Sequence, residues 1–243
     1  VCWKFCKCGK EHRKREHYAK CDECTKKEKQ KGFTVIEMTL VIAIIGVMAV
    51  MGIPAYMNAV EQAREMRTKR IVKTIDDVVS SKWNDYSVRP LPIRISPMTS
   101  PQDALSLRTL ALAAFMRLEL PESISDVTTN PGTITVGLSS VTIIRPAISK
   151  QFLRRSSAGW TTRNESAECL YLILASTRNN DGWFLDSFPP SEIGDTDNDG
   201  MNEVLDGWGR PIQMNRRIDG VLVFSSGVDA TDSADDITNH QQP

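Results

Sequence analysis

The sequence predicts an α+β chain in which one long N-terminal helix, apolar in its first half and amphipathic in its second, packs on a small antiparallel sheet, with acidic loops near the C-terminus. Three observations predict it. Residues 38 to 60 contain no charged side chain over 23 positions. Apolar residues then recur at helical spacing as far as residue 79. Short alternating runs bounded by turn residues fill the C-terminal third.

Charge divides the chain before any element is placed. Residues 1 to 31 carry 11 Lys/Arg against 5 Asp/Glu, and the remainder carries 19 against 25, a split that the net charge of zero hides. Five of the six cysteines, Cys2, Cys6, Cys8, Cys21 and Cys24, sit in the basic leader, leaving Cys169 alone in the body. One thiol forms no intrachain disulfide there, so packing, metal or assembly must hold the body. Four regions follow: a leader at 1–32, a spanning helix at 33–53, its amphipathic extension at 54–86 and a soluble domain at 87–243.

The run from Phe33 to Ile53 is apolar on every face. At about 1.5 Å per residue it spans roughly 31 Å, the thickness of a bilayer core. It exceeds the ~7–15 apolar residues of a secretory signal and has no small-x-small cleavage site after it, so it reads as a retained anchor. The Lys/Arg excess before it puts the leader on the cytoplasmic side and the body outside. Glu37 is the anomaly, because a carboxylate costs roughly 2.5–3.5 kcal/mol at the centre of a membrane helix and less near its end. Pro54 removes one helical hydrogen bond and permits a bend. Beyond it, Ile71, Val72, Ile75, Val78 and Val79 form one apolar side of a charged helix.

Prolines 90, 92, 97 and 101 mark a loop from Ser87 to Gln102. A helix is expected over Asp103 to Leu118, with Leu107, Leu110, Ala111 and Ala114 on one stripe. Residues 133 to 144 read as a hairpin or two short strands. Another helix is expected over Glu165 to Arg178, with Ala167, Leu170, Tyr171 and Leu174 in register and Cys169 packed in or beside it. Pro211 to Asn215 and Val221 to Ser225 read as antiparallel strands.

Two clusters suggest metals. Asp195, Asp197, Asp199, Glu203 and Asp206 fall at loop positions 1, 3, 5, 9 and 12, with Gly200 at position 6. Oxygen donors at that spacing around a turn suit calcium. In the leader, Cys6 and Cys8, then Cys21 and Cys24, form two close thiol pairs that could hold zinc tetrahedrally. The basic leader permits nucleic-acid binding but has few aromatics, and no nucleic-acid partner is expected. Catalysis is not expected either. The body holds only His240 and carries no Gly-rich phosphate loop or nucleophile motif.

Lys31-Gly32-Phe33-Thr34-Val35-Ile36-Glu37, the apolar run and Ile53-Pro54-Ala55-Tyr56 resemble the N-terminus of type IV pilins and type II secretion pseudopilins. The resemblance implies cleavage by a prepilin peptidase between Gly32 and Phe33, and methylation of the new terminus. It implies pairing of Glu37 with the terminal amine of a neighbouring subunit, insertion in a bacterial inner membrane, and filament assembly on an inner-membrane platform. Asp206-Gly-Trp-Gly-Arg-Pro211 and Val223-Phe-Ser-Ser-Gly-Val-Asp229 resemble segments of major pseudopilins. In that family the C-terminal loop binds calcium, and Asp229 and Asp236 match its side-chain ligands. The expected function is therefore a structural subunit of a secretion pseudopilus or related filament. The alternative is a membrane-tethered zinc-ribbon protein with a calcium-binding outer domain that does not polymerise.

Overall fold

The computed structural model describes residues 32–179, 182–229 and 236–239. The leader cysteines, and with them the expected zinc site, lie outside these residues. The chain divides into two units, Val1–Ile53 and Pro54–Pro243.

Helix α1 covers Val35–Val88, and the unit boundary falls at Pro54 inside it. In the first unit every helical side chain is exposed, Ile36, Ile42, Ile45 and Val50 among them. The helix is long and apolar enough to cross a membrane.

In the second unit, α1 becomes one wall of a core. Ile71, Val72, Ile75 and Val79 are buried along one stripe, as expected, and Tyr86 extends it. Burying four such aliphatic side chains stabilises by roughly 6–12 kcal/mol before conformational entropy is subtracted. Opposite stand α5 (Glu165–Ala175) and a three-stranded antiparallel sheet of order β7-β8-β9. Strand β7 is Gln213–Arg216, β8 Val221–Ser225 and β9 Ile237–Thr238, and Met214 pairs with Val223 in register. Strand β8 alternates buried and half-buried side chains, as a strand with one face on the core must. Cys169, Leu170, Leu172, Ile173 and Leu174 fill the space from the α5 side. Helix α5 stops at Ala175, short of the expected Arg178, because Arg178–Asn179 (β3) turns into an antiparallel pair with Gly182–Trp183 (β4).

A smaller core lies between α2 (Pro101–Glu119) and the hairpin of β1 (Thr133–Val136) and β2 (Ser139–Thr142). Ser100 caps α2 through the amide of Asp103, and Pro101 opens the helix where its missing N–H is harmless. The buried stripe is Leu107, Ala111, Phe115 and Leu118. The expected stripe was rotated from this: Leu110 is exposed, because Phe115 and Leu118, the larger apolar groups on the 107/111 side, set which face turns inward. Two short helices, α3 (Ile124–Thr128) and α4 (Ala147–Arg155), were not expected. Ion pairs tie the elements together: Arg89 grips Glu119 with two hydrogen bonds of 2.8 and 2.7 Å, and Tyr86 donates to the same carboxylate.

Candidate functional site: an N-terminal segment and an acidic cluster

Gly32 and Phe33 are exposed ahead of α1, and a Cβ added at Gly32 would meet open space. No contact among the described residues therefore requires glycine at this position. Glu37 sits in the first turn of α1 and faces Thr34. The Thr34 amide and hydroxyl both donate to Glu37 Oε2, at 2.7 and 2.8 Å, while the Glu37 amide donates to Thr34 Oγ1 at 3.3 Å. This reciprocal capping box satisfies amides that a membrane would leave bare, and the negative charge lies at the positive end of the helix dipole. Thr-x-x-Glu before an apolar run is its sequence signature, present in Thr34-Val35-Ile36-Glu37. Sequence reasoning passed over it in favour of an intermolecular partner.

The acidic loop runs from Asp195 to Asn202 between two antiparallel strands, β5 (Ile193–Gly194) and β6 (Glu203–Val204). Asp195 accepts from the amides of Asp199 (3.2 Å) and Gly200 (3.0 Å), which folds the loop back on itself. Gly200 has φ +90°, which favours glycine, and a Cβ there would lie 2.8 Å from Ser157 Oγ and displace that hydroxyl. Asp199 accepts from the amides of Met201 and Thr161.

Two groups of carboxylates converge among the described residues. Asp195, Asp197 and Asp199 form a half-exposed group, and Glu168, Asp197 and Glu203 form a second, largely buried one. In each group one oxygen per residue lies within 4.8 Å of the others. Glu168 comes from α5, where it is fully buried between Ala167 and Cys169, and its Oε2 accepts from the Trp160 indole N–H. Burial pushes the Glu168 carboxyl up to about 8; the Trp160 hydrogen bond opposes the rise, and Asp199, Asp197 and Glu203 add to it. Glu203 also titrates above its ordinary range, because burial outweighs the hydrogen bonds it accepts from Thr196 and Asn164. Sequence reasoning missed Glu168. The signal was a lone carboxylate inside an otherwise apolar helical run.

Asp206 belongs to neither group. It is 2 % exposed, and its Oδ1 accepts from the amides of Trp208 (2.8 Å) and Arg210 (2.9 Å) while its Oδ2 accepts from Ser225 Oγ (2.6 Å). In place of the expected ligand at loop position 12, it braces the Gly-Trp-Gly-Arg turn against β8. The turn in turn docks on α1: the Gly207 amide donates to Thr68 Oγ1 at 2.8 Å, and the Trp208 indole donates to Glu61 at 2.7 Å. Gly207 lies so close to the helix that a Cβ would fall 2.4 Å from the Arg64 carbonyl oxygen. Asp229 and Asp236 flank residues 230–235, which lie outside the described residues.

Comparison with known proteins places the N-terminal segment. Residues 27–53 match the family model of the prokaryotic N-terminal methylation motif. The chain is similar to fimbrial protein EcpC of Eikenella corrodens, 38% identical over 64 residues, which cover 26% of this chain and 42% of the relative. It is similar to the type IV major fimbrial protein FimA of Dichelobacter nodosus, 46% identical over 41 residues (17% of this chain, 26% of the relative). It is also similar to the type IV major alpha-pilin of Moraxella bovis, 47% identical over 38 residues (16% and 24%). The chain thus spans less than half the length of the curated relatives it matches. No solved structure matches it. All three relatives are named as fimbrial proteins or pilins. The likeness to type IV fimbrial proteins and pilins is thus carried by the N-terminal segment, where residues 27–53 match the methylation motif.

Proposed function

We propose that this protein is a structural subunit of a type II secretion pseudopilus or a closely related type IV pilus-like filament. A prepilin peptidase would cut between Gly32 and Phe33 and methylate the new terminus, with the leader cytoplasmic and the domain after Pro54 outside the membrane. The observation that carries this reading is a helix apolar on all sides that opens at a capped Thr34–Glu37 turn directly after an exposed Gly32-Phe33 pair. An apolar surface of this length needs lipid or copies of itself around it. The Thr34–Glu37 cap serves any helix that starts in lipid. In a subunit that must leave lipid for a protein filament, the same carboxylate can also meet the terminal amine of a neighbour.

The docking of Gly207 and Trp208 on Glu61 and Thr68 supports the secretion-type reading, since the pseudopilin-like segment thereby fastens the end of the domain to the assembly helix. In the same reading, Asp229 and Asp236 belong to a calcium loop of the pseudopilin kind. Co-expression with a prepilin peptidase and an assembly platform, followed by electron microscopy, tests the proposal. Wild type is expected to form filaments, and Glu37→Leu to be cut yet remain as membrane monomers. Filaments formed equally well by Glu37→Leu, or none from wild type, would count against it.

A further inference from the structure

We propose that Glu168, Asp197 and Glu203 bind one calcium ion, which fastens the loop 195–202 to helix α5. The ligand set differs from the linear one that loop spacing suggests, because it recruits a helix residue 27 positions before the loop begins and leaves Asp206 out. Three observations carry it. First, one oxygen from each residue lies within 4.8 Å of the other two, compatible with a shared centre about 2.4 Å from each, the distance of a calcium–oxygen bond. Second, Glu168 is 0 % exposed and its Oε1 has no hydrogen-bond partner among the described residues; Oδ1 of Asp197 is likewise buried without a donor among them. A buried carboxylate oxygen lacking any donor wants a cation. Third, among the described residues no salt bridge reaches any of the three, so no Lys or Arg supplies the missing charge.

The surrounding donors are placed as an outer shell. Asn164 Nδ2 and Thr196 Oγ1 both donate to Glu203 Oε1, at 2.9 and 3.0 Å, and the Thr196 amide donates to Oε2 at 3.0 Å. Thr161 Oγ1 donates to Asp197 Oδ2 at 3.1 Å, and Trp160 holds the other oxygen of Glu168. Glu168 and Asp197 are thus each held through one oxygen while the other has no donor among the described residues, and Glu203 is fixed through both oxygens, as the ligands of a metal are oriented by their outer partners. All-oxygen donors select a hard cation over zinc. Strand β6 leads from Glu203 through Leu205 to Asp206 and Gly207, so an ion here also steadies the turn that docks on α1. The site does not depend on the filament reading, and the following test requires no assembly.

The full chain in detergent, freed of metal with chelator, is titrated with terbium under tryptophan excitation and then with calcium. Terbium, a hard cation, is indifferent to the leader thiols. Trp160, in contact with Glu168, should sensitise its emission, calcium should displace it, and millimolar calcium should raise Tm. Glu168→Gln keeps an oxygen for Trp160 and is expected to fold at least as well in chelator, yet to weaken calcium binding about tenfold or more. Should that variant not fold, Asp197→Asn carries the same expectation. No calcium-dependent rise in Tm, or binding by Glu168→Gln as tight as that of wild type, would overturn the proposal; the latter would leave any cation to the outer aspartates alone.

Discussion

Asp206 offers the sharpest perturbation, because its two oxygens receive three protein donors while it lies 2 % exposed. Hydrogen bonds to a charged acceptor contribute about 1.5–3 kcal/mol each, and losing the acceptor strands the donors. Simple addition overstates the loss, since bonds within one network are not independent. Ser225 Oγ also keeps its contact with the Gly227 amide at 3.2 Å and can turn its proton elsewhere. Asp206→Ala should therefore cost about 3–5 kcal/mol, near the top of the range for single substitutions. Asp206→Asn retains an oxygen for the two amides and loses only the best acceptor for Ser225, so it should cost about 1–2 kcal/mol.

The assay is urea unfolding of residues 54–243 followed by tryptophan fluorescence. Every buried side chain among the described residues lies at Thr68 or beyond, so this segment contains the cores. For a domain of this size, 3–5 kcal/mol corresponds to a fall in Tm of roughly 10 °C. Calcium affinity of Asp206→Asn should stay near wild type. A loss below about 1 kcal/mol for Asp206→Ala would refute the bracing role. A fall of about tenfold or more in calcium affinity for Asp206→Asn would return this residue to the metal site.

Other expectations follow from the same contacts. Gly207→Ala places a methyl 2.4 Å from the Arg64 carbonyl oxygen, and backbone cannot yield as a side chain would; a loss of about 1–3 kcal/mol in the same unfolding assay is expected, and a neutral result would show that the turn is not docked there. Cys169 is 0 % exposed and its thiol is pushed up chiefly by burial, so native residues 54–243 should resist alkylation until unfolded; full labelling within minutes under native conditions would contradict the packing of α5. In excess chelator, Glu168 is held at about 8 in the folded chain against about 4.5 when unfolded. A folded value above the unfolded one gives stability that is complete below the lower value and lost as pH rises through the upper. The urea midpoint should therefore fall between about pH 4.5 and about pH 8, and Glu168→Gln should flatten the profile; equal slopes for both proteins would sink this reading.

Legibility followed the range of the interactions. The apolar run, the stripe from Ile71 to Val79, the hairpin at 133–142 and the β7–β8 pair rest on local periodicity, and the sequence displays each directly. Leu110 was misplaced because α2 has apolar residues on more than one side, and only the hairpin it packs on selects the inner face. Helices α3 and α4 are short and polar, with Arg145 bonding the Val127 and Thr129 carbonyls at the end of α3, a contact that local pattern does not reveal. The acidic loop was visible as a string of carboxylates, but its partition was not. Spacing treats Asp195 to Asp206 as one ligand set, whereas the fold sends Asp206 to Ser225 and brings Glu168 in from α5. The Thr34–Glu37 cap was fully local and readable.

The proposed function rests on α1 being an assembly helix released from its leader. The direct measurement is the mass of the N-terminal peptide from protein extracted from membranes of cells carrying a prepilin peptidase. Wild type should begin at Phe33 with one added methyl group, and a Gly32→Leu variant should keep residues before Phe33. An unmodified leader still attached to wild-type chains in the presence of active peptidase would contradict the account.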